Sequence, residues 1–323
     1  MKTLYDEVYV TEIEDSGKRN ENQHVKMLNE LKKEFVENDL YSKLNEEGVI
    51  EEDNTIDNIV KFNFLTVWSL FYALETKYPE RFEENFSYDL TDSLSSMGYF
   101  FFPASIGHHL NFTGGLAMHS LKVLESLIKL DNMLEIGMAK DSMVLATLLH
   151  DLCKLDKYIL PDDKEKATNK QANYLKSLAS KSDVKEDINY TTLSKSYASD
   201  LISWYKEGCN GEFPEEIVWD YKKVQDIPLD HGDKSVYMAE KLLELKDNEI
   251  MSIRFHMGAW EDKLKKDRHL KNIFRKAEET YPMVKLIALA DEIASFEEVK
   301  IQNAEEALDE LKNVNQFLKE ELL

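Results

Sequence analysis

A chain of 323 residues with 43% hydrophobic content can bury a sizeable core, as one large domain or one domain with an appended piece. Its formal charge of −22 excludes a protein that coats duplex DNA non-specifically. The same charge leaves room for an enzyme acting on phosphates, because bound divalent cations would dominate the local field. Two cysteines, Cys153 and Cys209, supply no disulfide framework and suit a reducing, cytoplasmic setting. Met1 to Asn20 is charged throughout, so no signal peptide is expected there, and no apolar run approaches the length of a membrane span. Glycine and proline are scarce, which favours helices.

In chain order, Met1 to Asn22 is polar and reads as loosely ordered, and His24 to Leu40 carries a helical stripe of Val25, Leu28, Leu31 and Phe35. Ile56 to Leu74 predicts a stronger helix, with Ile59, Val60, Phe64, Val67, Trp68, Phe71 and Tyr72 at helical spacing. These aromatics suit a core better than a ligand box. Residues 1–96 thus form a helical N-terminal region packed on the remainder of the chain. Gly114-Gly115 marks a tight turn after Phe102-Pro-Ala-Ser-Ile-Gly-His-His, and Leu116 to Leu130 then runs as a helix. Leu116, His119, Val123 and Leu127 share one face of it, which points His119 at the core.

Met143 to Leu149 is almost wholly apolar and predicts a helix buried on most of its circumference. It ends in His150-Asp151, with Lys154 three residues on. The stretch from Asp156 to about residue 216 is long, lysine-rich and interrupted, a surface insertion or lid with a helix over Tyr190 to Tyr205. Phe213 to Val224 suggests a short β excursion. Asp230-His231-Gly-Asp-Lys234 opens a helix to Leu245, and Glu249 to Met257 forms another bearing Arg254 and His256. Pro282 starts a helix whose apolar face carries Asp291. From Asn303, placed as an N-cap, an amphipathic C-terminal helix runs to the end.

Five or six of the eight histidines, His119, His150, His231 and His256 with one or both of His108 and His109, lie in or beside these apolar segments. Asp151 and Asp291 lie there too. Singly, each has a plain structural reading: a satisfied core histidine, a buried acceptor, a helix-start residue. Together they form a mixed N/O donor set, which suits a divalent ion and lacks the thiolates of structural zinc. A buried carboxylate without a cation is costly, so Asp151 in particular calls for a partner or a metal.

This order of residues, His119, then His150-Asp151, then His231 and His256, then Asp291, resembles the HD-domain superfamily of metal-dependent phosphohydrolases. The resemblance spans about Phe101 to Ser295. The block from Pro103 through His108-His109 to Gly114-Gly-Leu-Ala-Met-His119 is similar to the opening of exoribonuclease-type HD domains. His231-Gly-Asp-Lys-Ser-Val-Tyr and Ile253-Arg-Phe-His256-Met-Gly resemble small HD hydrolases of low-GC bacteria and their phages. The resemblance implies a mainly α fold, an HD helical bundle over residues 97–300 with an N-terminal extension, a long surface insertion and a C-terminal helix over 301–323. It implies a core metal site of His119, His150, Asp151 and Asp291, with Asp151 bridging to a second position completed by His231 and His256. The two divalent ions would be Mn, Fe, Co, Ni or Mg. Lys154, the lysine of a His-Asp-x-x-Lys motif, would neutralise a phosphate oxygen in catalysis, while His108, His109, Lys234 and Arg254 are candidates for phosphate binding. The substrate implied is a nucleotide or short oligonucleotide, and a homo-oligomer is compatible with the pattern. A 3'-5' exonuclease is a further alternative, although no OB-type RNA-binding module is recognisable. An HD-type di-iron oxygenase or a non-catalytic HD binding module would share the ligand pattern.

Overall fold

The computed structural model describes residues 55–159, 167–182, 193, 195–206, 208–209, 219–301 and 304–322. The helix expected over His24 to Leu40 and the Asn303 cap lie outside these residues, as does the first half, 213–218, of the stretch from Phe213 to Val224. The described chain is mainly α-helical. In order it runs α1 (Thr55–Lys77), α2 (Phe86–Ser96), α3 (Gly115–Leu134), α4 (Lys140–Leu149), a 3-10 turn (Leu152–Asp156), β1 (Tyr158–Ile159), α5 (Asn169–Ala179) and α6 (Lys195–Lys206). Next come β2 (Asp220–Tyr221), α7 (His231–Ala239), α8 (Asp247–Phe255), a 3-10 turn (Gly258–Trp260), α9 (Asp262–Lys266), α10 (Arg268–Thr280), α11 (Pro282–Glu298) and α12 (Ala304–Leu322).

Two helices form the centre. Helix α3 is buried from Gly115 through Ile128, and α4 from Asp141 through Leu149, as their apolar sequences require. Helix α11 packs along α3, α8 packs on α4 and α11, and α7 lies on α8 and on the 3-10 turn after α4. On the far side α12 packs against α1 and α3, so one continuous core takes in Ile59 and Phe71 from α1 and Leu311 and Val314 from α12. No helix among the described residues is long and apolar enough to cross a membrane.

The excursion after Lys157 is framed by a minimal ribbon. Strands β1 and β2 pair antiparallel, Tyr158 opposite Tyr221 and Ile159 opposite Asp220. Between them lie two helices rather than the single one expected: α5 and α6 pack on each other around Leu175, Ala198 and Leu201, a core of their own. Helix α5 starts at a capping box in which the Thr168 hydroxyl accepts from the Gln171 N–H. The described lysines of this region other than Lys157, namely Lys170, Lys176, Lys181, Lys195 and Lys206, are exposed. The helix expected from Asp230 to Leu245 stops at Ala239. From there the chain tightens into turns, and α8 begins where Glu249 accepts the Lys246 N–H at 2.9 Å.

A buried ionic network ties α4 to α8. Arg81, in the loop after α1, bonds Asp141 in the first turn of α4 and Glu249 in the first turn of α8. Ser142 donates to the other Glu249 oxygen at 2.6 Å, and Lys246 reaches Asp141 at 2.7 Å. Because these two helices carry His150 and His256 at their ends, the network fixes the spacing of the two imidazoles. Removing one partner of a buried ion pair leaves an uncompensated charge, typically about 3–5 kcal/mol. Arg81 keeps some contact with water, so Arg81→Met should cost toward the lower end and lower the melting temperature by roughly 4–6 °C, followed by circular dichroism.

Burial alone would raise the Asp141 pKa, but the hydrogen bonds and charges of Lys246 and Arg81 outweigh it and hold the carboxyl below its ordinary value. A depressed folded-state pKa contributes stability that is present above the unfolded-state value, about 3.9, and is lost as pH falls through the folded value. Asp141→Asn should therefore destabilise the protein at neutral pH and do so progressively less below about pH 4. Urea unfolding at pH 7 and pH 3 measures the difference. An equal loss at both would show that the carboxylate charge contributes nothing.

Candidate metal centre

Helix ends bring the donors together. His150 stands at the C-cap of α4 and Asp151 comes directly after it; His256 stands at the C-cap of α8; His231 is the first residue of α7. His119 comes from the second turn of α3 and Asp291 from the middle of α11. Two glycines permit the approach. A Cβ on Gly115 would lie 2.2 Å from the Leu110 carbonyl oxygen, so the Pro103–Leu110 loop can rest on the start of α3 only with glycine there. A Cβ on Gly232 would lie 2.0 Å from the Arg254 carbonyl oxygen, so α7 can lie against α8 only because the residue after His231 has no side chain.

The buried Asp151 carboxylate is the hub. Its Oδ1 is 2.9 Å from His231 Nε2 and 3.6 Å from His256 Nε2. Its Oδ2 is 2.5 Å from the Lys154 ammonium, 3.3 Å from His150 Nε2 and 3.7 Å from His119 Nε2. Asp291 Oδ1 lies 3.1 Å from His119 Nε2, on the Oδ2 side. Each oxygen of one carboxylate thus faces its own pair of imidazoles.

The outer ring nitrogens explain why every Nε2 points inward. The last carbonyls of a helix have no intrahelical partner. His150 Nδ1 lies 2.6 Å from the Thr147 carbonyl and His256 Nδ1 lies 2.7 Å from that of Ile253, three residues back in each case. An Nδ1–H donated there leaves the Nε2 lone pair facing the cluster. His119 sits inside a helix whose carbonyls are already used, and its Nδ1 instead meets the Glu298 carboxylate at 3.0 and 3.1 Å. His231 Nδ1 lies 3.2 Å from Cys153 Sγ.

These contacts set the protonation of the metal-free cluster. Burial would lower the His119 pKa, but the charge of Glu298 and the hydrogen bonds of Asp291 and Glu298 raise it to about 10. Burial would raise that of Asp151; Lys154 and His150 outweigh it and hold the carboxyl well below its ordinary range. Lys154 is kept cationic by Asp151 against its own burial. Burial pushes the Cys153 thiol up to about 12, so it stays a protonated, unreactive thiol.

The donor set fits divalent ions. His150 Nε2 is fully buried and has no hydrogen-bond partner, although the cluster surrounds it. His231 Nε2 and His256 Nε2 approach to 3.1 Å, a contact that neutral acceptor nitrogens tolerate only around a shared cation or proton. Ligand atoms come within 4.8 Å of one another in four overlapping groups: His109, His119 and Glu298; His119, His150 and Asp291; His150, Asp151 and His256; Asp151, Cys153 and His231. Imidazole and carboxylate donors suit manganese, iron, cobalt or nickel, and magnesium less well.

Of the residues expected at the site, His119, His150, Asp151, His231, His256, Asp291 and Lys154 converge. His109 lies at the edge, half-buried, with its ring 5.2 Å from that of His119 and Nε2 3.7 Å from Glu298, and burial lowers its pKa to about 4. His108 is exposed on the same loop. Lys234 turns away: it is buried, bonded to Asp156 at 2.7 Å and to Gln225, and it braces the 3-10 turn from behind. Arg254 is engaged with Asp233 and Glu261. Lys234 and Arg254 are therefore both paired with carboxylates and, for Lys234, with an amide as well. Two residues that the sequence pattern does not single out, Glu298 and Cys153, join the cluster. Glu298 is legible in retrospect, seven residues after Asp291 and so on the same face of α11. Cys153 has no such signal.

No protein-family model, curated protein or solved structure matches the chain. The centre is defined by its own donors, and metal content tests it. Asp151→Asn should remove most divalent metal from protein purified with Mn²⁺, because both sides of the cluster share that carboxylate. Gly232→Ala should lower the content by pushing His231 away from His256 while His119, His150 and Asp291 remain. Elemental analysis showing wild-type metal in both variants would mean that the ions bind elsewhere.

Proposed function

We propose that the chain is an HD-type metal-dependent phosphohydrolase that cleaves a phosphomonoester or phosphodiester in a nucleotide or short oligonucleotide through two divalent ions. The observation that carries this reading is the division of Asp151 between two imidazole pairs, with the Lys154 ammonium 2.5 Å from Oδ2. Asp151 would contribute an oxygen to each ion, with His119, His150 and Asp291 completing one position and His231 and His256 the other. Divalent ions bound by these residues would supply an activated water near neutral pH and polarise the phosphoryl oxygen.

The chain's own residues do the rest. Lys154 is buried, cationic and held by Asp151, so it meets an incoming phosphoryl oxygen with little reorganisation and stabilises the charge that develops there. The carbonyls of Thr147 and Ile253 hold His150 and His256 in the ligating tautomer. His109, on the loop above α3, is the residue best placed to touch substrate at the Asp291 side. A chain of charge −22 repels anions at long range, so capture falls to the ions and Lys154.

The test uses protein loaded with Mn²⁺ in the absence of oxygen, assayed with bis-p-nitrophenyl phosphate, nucleoside monophosphates and short oligonucleotides. Turnover should proceed anaerobically. Lys154→Met should keep the bound metal and lower kcat by about 10²–10³, the size expected for losing one preorganised charge. Strict dependence on iron and O₂ would assign the centre to oxygenase chemistry instead. Full metal loading with no phosphoester cleaved would leave a binding module.

A further inference from the structure

We infer that Glu298 is a positioning residue for the metal centre, and that it makes the position built on His119 the tighter of the two. This rests on the proposed two-ion function. Asp291 and Glu298 are separated by two turns of α11, an axial rise of about 10.5 Å. The His119 ring lies between them, with Nε2 3.1 Å from Asp291 Oδ1 and Nδ1 3.0 Å from Glu298 Oε2. One helix therefore supplies both a ligand beside the inner nitrogen and the acceptor for the outer one.

The acceptor must come from outside because of where His119 sits. His150 and His256 use the free carbonyls of their own helix ends; His119 lies in the second turn of a twenty-residue helix, where such carbonyls are consumed. The Leu116 carbonyl, three residues back, additionally accepts from the Ser120 hydroxyl at 3.0 Å. Glu298 has no exposure to solvent and spends both oxygens on the His119 ring nitrogen, with His109 Nε2 3.7 Å away. A carboxylate acceptor fixes the Nδ1–H tautomer, makes Nε2 a stronger donor and adds negative charge close to an ion. On the Asp151 Oδ1 side no carboxylate among the described residues stands behind either ring: His256 Nδ1 meets the Ile253 carbonyl and His231 Nδ1 lies 3.2 Å from Cys153 Sγ. Among the described residues, the carboxylates at or one hydrogen bond beyond the first position are Asp151, Asp291 and Glu298, and at the second Asp151.

The experiment is a Mn²⁺ titration of metal-free protein by electron paramagnetic resonance, comparing wild type with Glu298→Gln, which keeps the acceptor oxygen and the shape but removes the charge. Wild type should bind in two classes, and Glu298→Gln should weaken the tighter class by about 10–100-fold, leaving the weaker class within a factor of two. His256→Ala should do the reverse. Glu298→Asp, which restores the charge on a shorter stem, should bind more tightly than Glu298→Gln. Imidazole ¹⁵N spectra should show His119 losing its strong Nδ1–H···carboxylate bond in Glu298→Gln. A Glu298→Gln protein with the wild-type tight class overturns the inference while leaving the metal centre standing. Equal weakening of both classes, or loss of the helical circular dichroism, assigns Glu298 to the fold and also overturns it. Wild type that binds no Mn²⁺ removes the two-ion function itself, and the inference falls with it.

Discussion

The structure is governed by the need to keep one carboxylate charged inside an apolar interior. Asp151 closes a helix that is buried along nearly its whole length, and an isolated ionised carboxylate in such surroundings would neutralise or unfold its site. Four imidazoles and an ammonium are spent on it. Lys154, in the turn that begins at Asp151, offsets the charge locally; the imidazoles arrive from three other helices and from the preceding residue. The surroundings of Asp151 reflect that demand, including the ionic network of Arg81 that spaces α4 from α8 and the Lys234–Asp156 pair that holds the turn from behind.

Helix termini solve a second problem, that of aiming. An imidazole donating from Nδ1 to a carbonyl three residues back can point its other nitrogen away from the helix only where that carbonyl is free, which is at a C-terminus. His150 and His256 obey this rule, and their backbone does the orienting. His119, inside a helix, borrows a carboxylate, and His231, at a helix start, faces a thiol. The four histidines thus differ in what stands behind them although they look alike from the cluster, and that difference separates the two sides electrostatically.

Much of this was legible in the amino-acid sequence. The apolar run to Leu149, the periodicity of α3 and Pro282 at the head of α11 each announce a helix, and they place His119, His150 and Asp291 inward without further information. That Asp151 needs a partner or a metal was legible because a charged residue closing an apolar run is costly; its place between two sets of imidazoles was implied by the resemblance alone. Less legible were elements stabilised by narrow or mixed stripes. Helix α10 carries a narrow stripe, Leu270, Ile273, Phe274 and Ala277, of which only Ala277 is fully buried, and α2 mixes Leu90 and Leu94 with buried serines and a threonine, so that its apolar face is interrupted. The partners of Lys234 and Arg254 were not legible for a different reason: a basic residue near a site in sequence has no stated direction, and both lie against carboxylates that only the fold brings near. Cys153 was invisible because a single thiol carries no periodicity, and its neighbour His231 is 78 residues away.

The two-residue ribbon of β1 and β2 has a consequence for how this architecture can change over time. The chain leaves the bundle at Ile159 and re-enters at Asp220, paired across one ladder, and Asp156 accepts from the Asp226 and Ile227 N–H groups to secure the return. Both ends of the intervening stretch are therefore pinned by the bundle. Lengthening a segment between fixed ends is cheap, about 0.6 kcal/mol for each doubling. The α5–α6 pair keeps its apolar contacts within itself. A segment held at both ends in this way can be enlarged, trimmed or exchanged without moving the points at which the bundle grips it, so this stretch is where descendants of the same gene would be free to diverge.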